Sequence, residues 1–149
     1  MPRAEKGGVE CNALGRSRGG FSTKIHALVD AKARPVYVVL TPGQQHDSTI
    51  AEELIAHARG HVLLADTAYD ADRIIAAVRA QGMKPVICNH PTRKYNRRRL
   101  DRELYRQRYL VEVFFHNLKR FRAIATRYEK TATNYLALVH LACVCIWLA

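Results

Sequence analysis

Acidic residues are scarce in this sequence. Only 13 Asp and Glu stand against 24 Lys and Arg, a net charge of +11 over 149 residues. The imbalance points to a polyanionic partner, nucleic acid first; the plainer alternative is a basic protein that binds no polyanion. Cysteine is also scarce. Cys11, Cys88, Cys143 and Cys145 form no C-x-x-C pair and no zinc-type spacing, which excludes a disulfide framework and a zinc module. They read as small buried hydrophobes in a reducing, cytoplasmic setting. Apolar runs of membrane-spanning length are absent too. The N-terminal "MPRAEKGGVE" lacks the apolar core of a secretory signal. The C-terminal "YLALVHLACVCIWLA" contains His140 and falls short of the ~20 residues that span a bilayer, so a buried helix is expected there. There is no internal repeat. With 48% hydrophobic residues, what remains is a globular chain long enough for one domain with a real core.

Residues 1–20 are rich in Gly, Arg and Lys without apolar periodicity, and predict an irregular basic arm ahead of a folded region, 21–149. "FSTKIHALVD" alternates and "PVYVVLT" is a short apolar run, which together predict a β-hairpin or two adjacent antiparallel strands. "PGQQHDS" reads as a loop, "TIAEELIAHAR" as a helix, "HVLLAD" as a buried strand, "YDADRIIAAVRAQG" as a helix closed by Gly82, and "MKPVIC" as another strand. This order predicts an α/β fold with a mixed sheet flanked by helices. "NHPTRKYNRRRLD" then places Arg93, Lys94, Arg97, Arg98 and Arg99 around Tyr95; such a segment is either a solvated loop or a phosphate-binding patch.

The stretch "YRQRYLVEVFFHNLKR", 105–120, reads as one helix. With Glu112 at zero, Tyr105 falls at about +20°, Arg108 at about −40° and Lys119 at about −20° on a regular helix. The stripe borders the apolar side carrying Leu104, Val111, Phe114, Leu118 and Phe121. Two readings stand: a surface i,i+4 pair between Arg108 and Glu112, or a functional carboxylate. Asp66, Asp70 and Asp72 form a second acidic group. Asp70 and Asp72 sit at a helix start, where capping accounts for them. Asp66 follows four apolar residues at a strand end, where α/β proteins build sites, and needs a cation, a metal or backbone donors. His26, His46 and His116 are lesser candidates, and a turn role accounts equally well for His46 and Asp47.

The spacing Tyr105-x2-Arg108-x3-Glu112-x6-Lys119 resembles the Y-(2)-R-(3)-E-(6)-K signature of bacterial insertion-sequence DDE transposases. "GRSRGGFSTKIHALVD", "LTPGQQHDS", "LLADTAYDAD" and "RYEKTATNYLALVHLACVCIWLA" are similar to the same family, so the resemblance runs from about Leu14 to the end. It implies a ribonuclease-H-like fold, here lacking its first strand, with a C-terminal apolar helix. It also implies DNA transposition by metal-dependent cleavage and strand transfer, with Mg²⁺ or Mn²⁺ in a two-metal site. Asp66 takes the place of the second Asp of the catalytic and metal-binding triad and Glu112 that of its Glu. Tyr105, Arg108 and Lys119 take the flanking DNA-contacting positions, with Arg97, Arg98 and Arg99 as further phosphate contacts. The implied partners are terminal-repeat and target DNA and a second copy in a homodimeric synaptic complex, with no membrane.

One departure stands out. The family's first catalytic Asp lies upstream of the "GRSRGGF" segment, and residues 1–20 contain no Asp. The region 21–149 therefore reads as an N-terminally incomplete catalytic domain with little activity alone. The alternative is a catalytically inactive DNA-binding product or remnant of the element.

Overall fold

The structure, a computed structural model, describes residues 12–17 and 20–149. Of the expected basic arm, 1–11 and 18–19 lie outside the described residues, and Gly15–Ser17 forms a short strand, β1. β1 pairs antiparallel with β2, Gly20–Val29, through Gly15↔Ser22 and Ser17↔Gly20. β2 continues into β3, Pro35–Pro42, giving the sheet order β1-β2-β3. The predicted hairpin turn is built by Asp30. Its side chain accepts from Lys32 N and Arg34 N at 2.8 and 3.0 Å and from Arg34 Nη2 at 2.6 Å, while Ala33 takes the left-handed φ of 59°.

A 3-10 turn, Asp47–Ile50, leads into α1, Ala51–His57. Then come β4, Val62–Ala65, a second 3-10 turn, Thr67–Tyr69, α2, Asp72–Ala80, and β5, Lys84–Ile87. β4 and β5 pair in parallel, Val62↔Lys84 through Ala65↔Ile87. The remaining helices are α3, Arg102–Arg106, α4, Tyr109–Lys119, α5, Arg122–Ala125, and α6, Ala132–Leu148. The α/β expectation holds, but the described strands form a three-stranded and a two-stranded sheet rather than one mixed sheet. Within the second sheet no described strand pairs with the other edge of β4.

The chain divides into two units. One comprises residues up to His26, Val38–Gln45 and His116–Ala149; the other comprises Ala27–Tyr37 and His46–Phe115. In the second, Ala51, Ile55, Ile74, Ile75, Val78, Met83 and Ile87 form one buried cluster, joined by Leu28, Leu63 and Tyr69. The 3.6-residue spacing of Ile74, Ile75 and Val78 turns one face of α2 onto β5. α2 stops as expected: Gly82 adopts φ 75°, its N–H bonds Arg79 O, and Met83 N bonds Val78 O. This is the Schellman closure, with apolar Val78 and Met83 both buried. β4 is half-buried along its length, not buried as expected.

In the first unit Leu118 is buried, and α6 buries Tyr135, Val139, Ala142 and Cys143. Tyr135 Oη donates to Ile124 O at 2.9 Å, tying α6 to α5. The expectation of a buried C-terminal helix needs correction, because Leu141, Val144, Trp147 and Leu148 are exposed. An all-round apolar sequence records no facing; only one side meets covering structure. No helix among the described residues is long and apolar enough to cross a membrane. The cysteines are corrected in the same way: Cys143 is buried, Cys88 half-buried and Cys145 exposed. Burial pushes the Cys143 thiol up to about 11. Maleimide at neutral pH should therefore modify Cys145 in the native protein and Cys143 only after denaturation, as mass mapping of labelled peptides would show.

Candidate carboxylate site and basic loop

Asp66 lies one residue beyond β4, at the carboxyl end of the strand. Its Oδ1 accepts from Ala68 N at 2.9 Å and caps the 3-10 turn Thr67–Tyr69. Capping was expected of Asp70 and Asp72 and not of Asp66. The structure reverses this for Asp66 and Asp70, because the residue at the cap of α2 is Ala71, with no side-chain cap bond. The Tyr69 hydroxyl is pushed up to about 12 by burial and by the negative charges of Asp47 and Asp66. Tyr69 therefore stays a protonated donor beside two carboxylates.

The helix expected over 105–120 is two helices. Arg108 N bonds Tyr105 O, Leu110 N bonds Gln107 O and Val111 N bonds Arg108 O, all i→i+3. Such a tightened turn advances about 120° per residue instead of about 100°, so the single stripe drawn through Tyr105 and Glu112 does not survive. What replaces it is a chain of contacts. Arg108 Nη2 donates to Glu112 Oε1 at 2.9 Å, and the same guanidinium carbon lies 5.8 Å from the centre of the Tyr105 ring. Glu112 is 63% exposed, so the pair contributes little to stability and leaves the carboxylate reachable. Lys119 is the last residue of α4 and is exposed, in the other unit. Of the histidines, His26 is buried and its Nε2 meets Thr41 Oγ1 at 2.7 Å inside the hairpin, a satisfied structural role.

The basic segment after β5 is a built loop. Asn89 Nδ2 donates to Arg98 O at 2.7 Å and Asn89 Oδ1 accepts from Arg98 N at 3.0 Å, which clamps its two ends. Pro91 opens a turn closed by Arg93 N on His90 O. Asp70, whose side chain is fully buried, holds the loop to the body of the unit. Its Oδ2 accepts from His90 N at 2.6 Å and Arg93 Nε at 2.8 Å, and its Oδ1 from Arg98 Nη2. Arg93 Nη1 also reaches Asp72 Oδ1 at 2.7 Å. Burial alone would raise the Asp70 carboxyl, but the His90 N–H and the two guanidinium groups outweigh it and hold it at about 2. Arg98, expected on a phosphate-facing patch, thus turns inward, because a buried carboxylate requires cations. Lys94, Arg97 and Arg99 are exposed.

The donor chemistry of Asp66 and Glu112 suits a hard divalent cation, but the number of donors does not. Among the described residues no group of three or more His, Cys, Asp or Glu side chains is placed to hold a metal ion. These residues alone do not make the expected metal site. Sequence reasoning missed Asp70 as an anchor and Asn89 as a clamp. The signal available was an unusual density of cations beside a strand end, which calls for a buried counter-charge.

Comparison with known proteins fits these observations. Residues 1–147 match the family described as "Transposase DDE domain". The chain is 44% identical over 132 residues to a protein named as a transposase for insertion sequence element IS6501 in Brucella ovis, covering 86% of this chain and 99% of that one. It is 31% identical over 144 residues to one named for insertion sequence element IS402 in Burkholderia cepacia, covering 89% of this chain and 64% of that one. No solved structure matches. The chain belongs to the DDE transposases of bacterial insertion sequences.

Proposed function

We propose that this chain is the Asp66- and Glu112-bearing catalytic part of an insertion-sequence transposase, acting on terminal-repeat and target DNA in the cytoplasm by metal-dependent cleavage and strand transfer. The fold proposed is ribonuclease-H-like, over residues 21–149, and no described carboxylate is assigned the place of the first catalytic Asp. The observation that carries the reading is Asp66 at the carboxyl end of β4, in the same unit as the Tyr105–Arg108–Glu112 chain. Mg²⁺ or Mn²⁺ is the proposed cofactor, as the family uses divalent metal ions. A homodimer belongs to the same proposal, and the exposed Leu141, Val144 and Leu148 on α6 support it. The incomplete donor set favours one second reading, a DNA-binding product of the element without catalysis of its own.

DNA binding tests the shared part of both readings. Six exposed cations, Lys94, Arg97 and Arg99 in one unit and Lys119, Arg120 and Arg122 in the other, are the proposed phosphate contacts. Six contacts predict an affinity loss of about 10³-fold between roughly 50 and 200 mM salt. Fluorescence anisotropy with a terminal-repeat duplex would measure it, and a flat salt response would sink the nucleic-acid reading.

A further inference from the structure

The loop clamped by Asn89 and Arg98 exposes an aromatic ring at its tip. Tyr95 is 82% exposed, with exposed Lys94 before it and exposed Arg97 two residues after it. Asn96, between them, takes the left-handed φ of 53°, which turns the chain sharply at the apex. The stem is the opposite. Arg93 and Arg98 are held on the buried Asp70 carboxylate, and the Asn89 amide closes the ends. A loop fixed at its base has little ordering entropy left to lose on binding. Beside it runs a cleft of about 510 Å³ between α2 and the loop, lined by Arg79, Asn96 and Arg97 over Ile75 and Ala76. The one carboxylate on that wall, Asp72, is paired to Arg93.

A solvated aromatic ring among cations can meet nucleic acid in only a few ways. Paired bases in a duplex offer their edges to the grooves and hide their faces in the stack. A ring gains stacking energy only on a base whose face is open, in an unpaired strand or at an opened step. We propose that the 90–97 loop is a preorganised finger for unpaired DNA, in which Tyr95 stacks on an exposed base while Lys94, Arg97 and Arg79 hold the flanking phosphates along the cleft. Asp70 is its positioning residue. The inference rests on the DNA partner of the proposed function, and it adds to that function a base-stacking contact and a preference for unpaired over paired strands.

The test uses the full chain and two fluorescent oligonucleotides of one length, a perfect duplex and the same duplex with a short unpaired gap carrying 2-aminopurine. The gapped DNA should bind more tightly, with quenching of the 2-aminopurine. Tyr95→Ala, a surface change, should weaken gapped binding by roughly 5- to 100-fold and abolish quenching, while Tyr95→Phe retains both. Tyr95→Ala should leave duplex affinity and the salt slope as they were, whereas Arg97→Ala should lower the slope by about one. Parental gapped affinity and quenching in Tyr95→Ala would overturn the finger while leaving DNA binding intact. Equal losses in Tyr95→Phe and Tyr95→Ala would overturn ring stacking. No binding of either DNA by the parent chain would overturn the proposed function itself, and the finger with it.

Discussion

Replacing Asp70 with Ala should destabilise the protein by about 3–5 kcal/mol, the cost of leaving largely buried Arg98 without its counter-ion and Arg93 with only the exposed Asp72. Arg93 and Arg98 are only 10% and 17% exposed, and Asp70 is the acceptor they share. The same carboxylate satisfies His90 N, so one deletion takes the shared acceptor from three donors. Asp70→Asn keeps the shape and loses the charge, and should fall between Ala and the parent. Adding Arg98→Met to Asp70→Asn should recover part of the loss, because an apolar side chain of similar length needs no counter-charge. The pH dependence has a definite sign. The folded carboxyl is held at about 2, below the ordinary 3.8. A depressed carboxyl stabilises the fold above about pH 4, and that contribution, up to about 2 kcal/mol, disappears as pH falls from about 4 to about 2. Urea denaturation at neutral pH, near pH 4 and near pH 2.5 would check both statements. Equal stability of parent and Asp70→Asn at neutral pH would remove Asp70 from its role.

Much of the fold was legible because local chemistry decided it. Gly82 had to end α2, since only a residue at ease with φ 75° permits the two closing bonds to Arg79 and Val78. The alternating and apolar runs on either side of Asp30 had to pair, because so short a connection leaves nothing else within reach. The break at Gln107 and Arg108 was not legible. Arg, Gln and Tyr are tolerable helix residues there, with no Pro or Gly, and the switch to i→i+3 bonds is a backbone event that no residue type announces. The exposed face of α6 was hidden for another reason. Its sequence is apolar on all sides, so the side left uncovered depends on what else packs against it.

The candidate site shows the same division. Asp66 was legible as special because it ends a strand, yet part of its role is an ordinary one, the cap on Ala68 N. Asp70 looked like a cap and instead gathers three donors from distant parts of the chain. Its partners His90, Arg93 and Arg98 lie 20, 23 and 28 residues away, beyond any local pattern. By sequence the basic segment reads as a solvated loop or a phosphate-binding patch. Its five cations divide by facing, two inward onto Asp70 and three outward, and that facing is set by the Asn89 clamp and the Pro91 turn rather than by charge density. A charge count therefore overstates the phosphate-facing surface of such a loop whenever a buried acid takes part of the charge.

Asp66→Asn and Glu112→Gln should each abolish transposition by the parent element, by at least about 10³-fold. Each swap preserves side-chain shape and removes one negative oxygen donor. An anionic group that acts in the transition state supplies several kcal/mol, and each ~1.36 kcal/mol is a factor of ten in rate. The structural roles of the two residues are small enough to keep the variants folded. The amide oxygen introduced by Asp66→Asn still accepts from Ala68 N, and the Arg108–Glu112 pair lies at an exposed position. A marked copy of the element, scored for new insertions in bacteria, supplies the readout, with circular dichroism and urea midpoints confirming the fold. Glu52→Gln, at a side chain 58% exposed and outside the proposed pair, is the control and should transpose within a few fold of the parent. Arg108→Ala separates the two duties open to Glu112. If Glu112 served only to hold Arg108, Arg108→Ala and Glu112→Gln would lose activity equally. If the carboxylate itself acts, Glu112→Gln should be at least about tenfold worse. Parental transposition by Asp66→Asn would remove that residue from the site, whatever its resemblance to the family position.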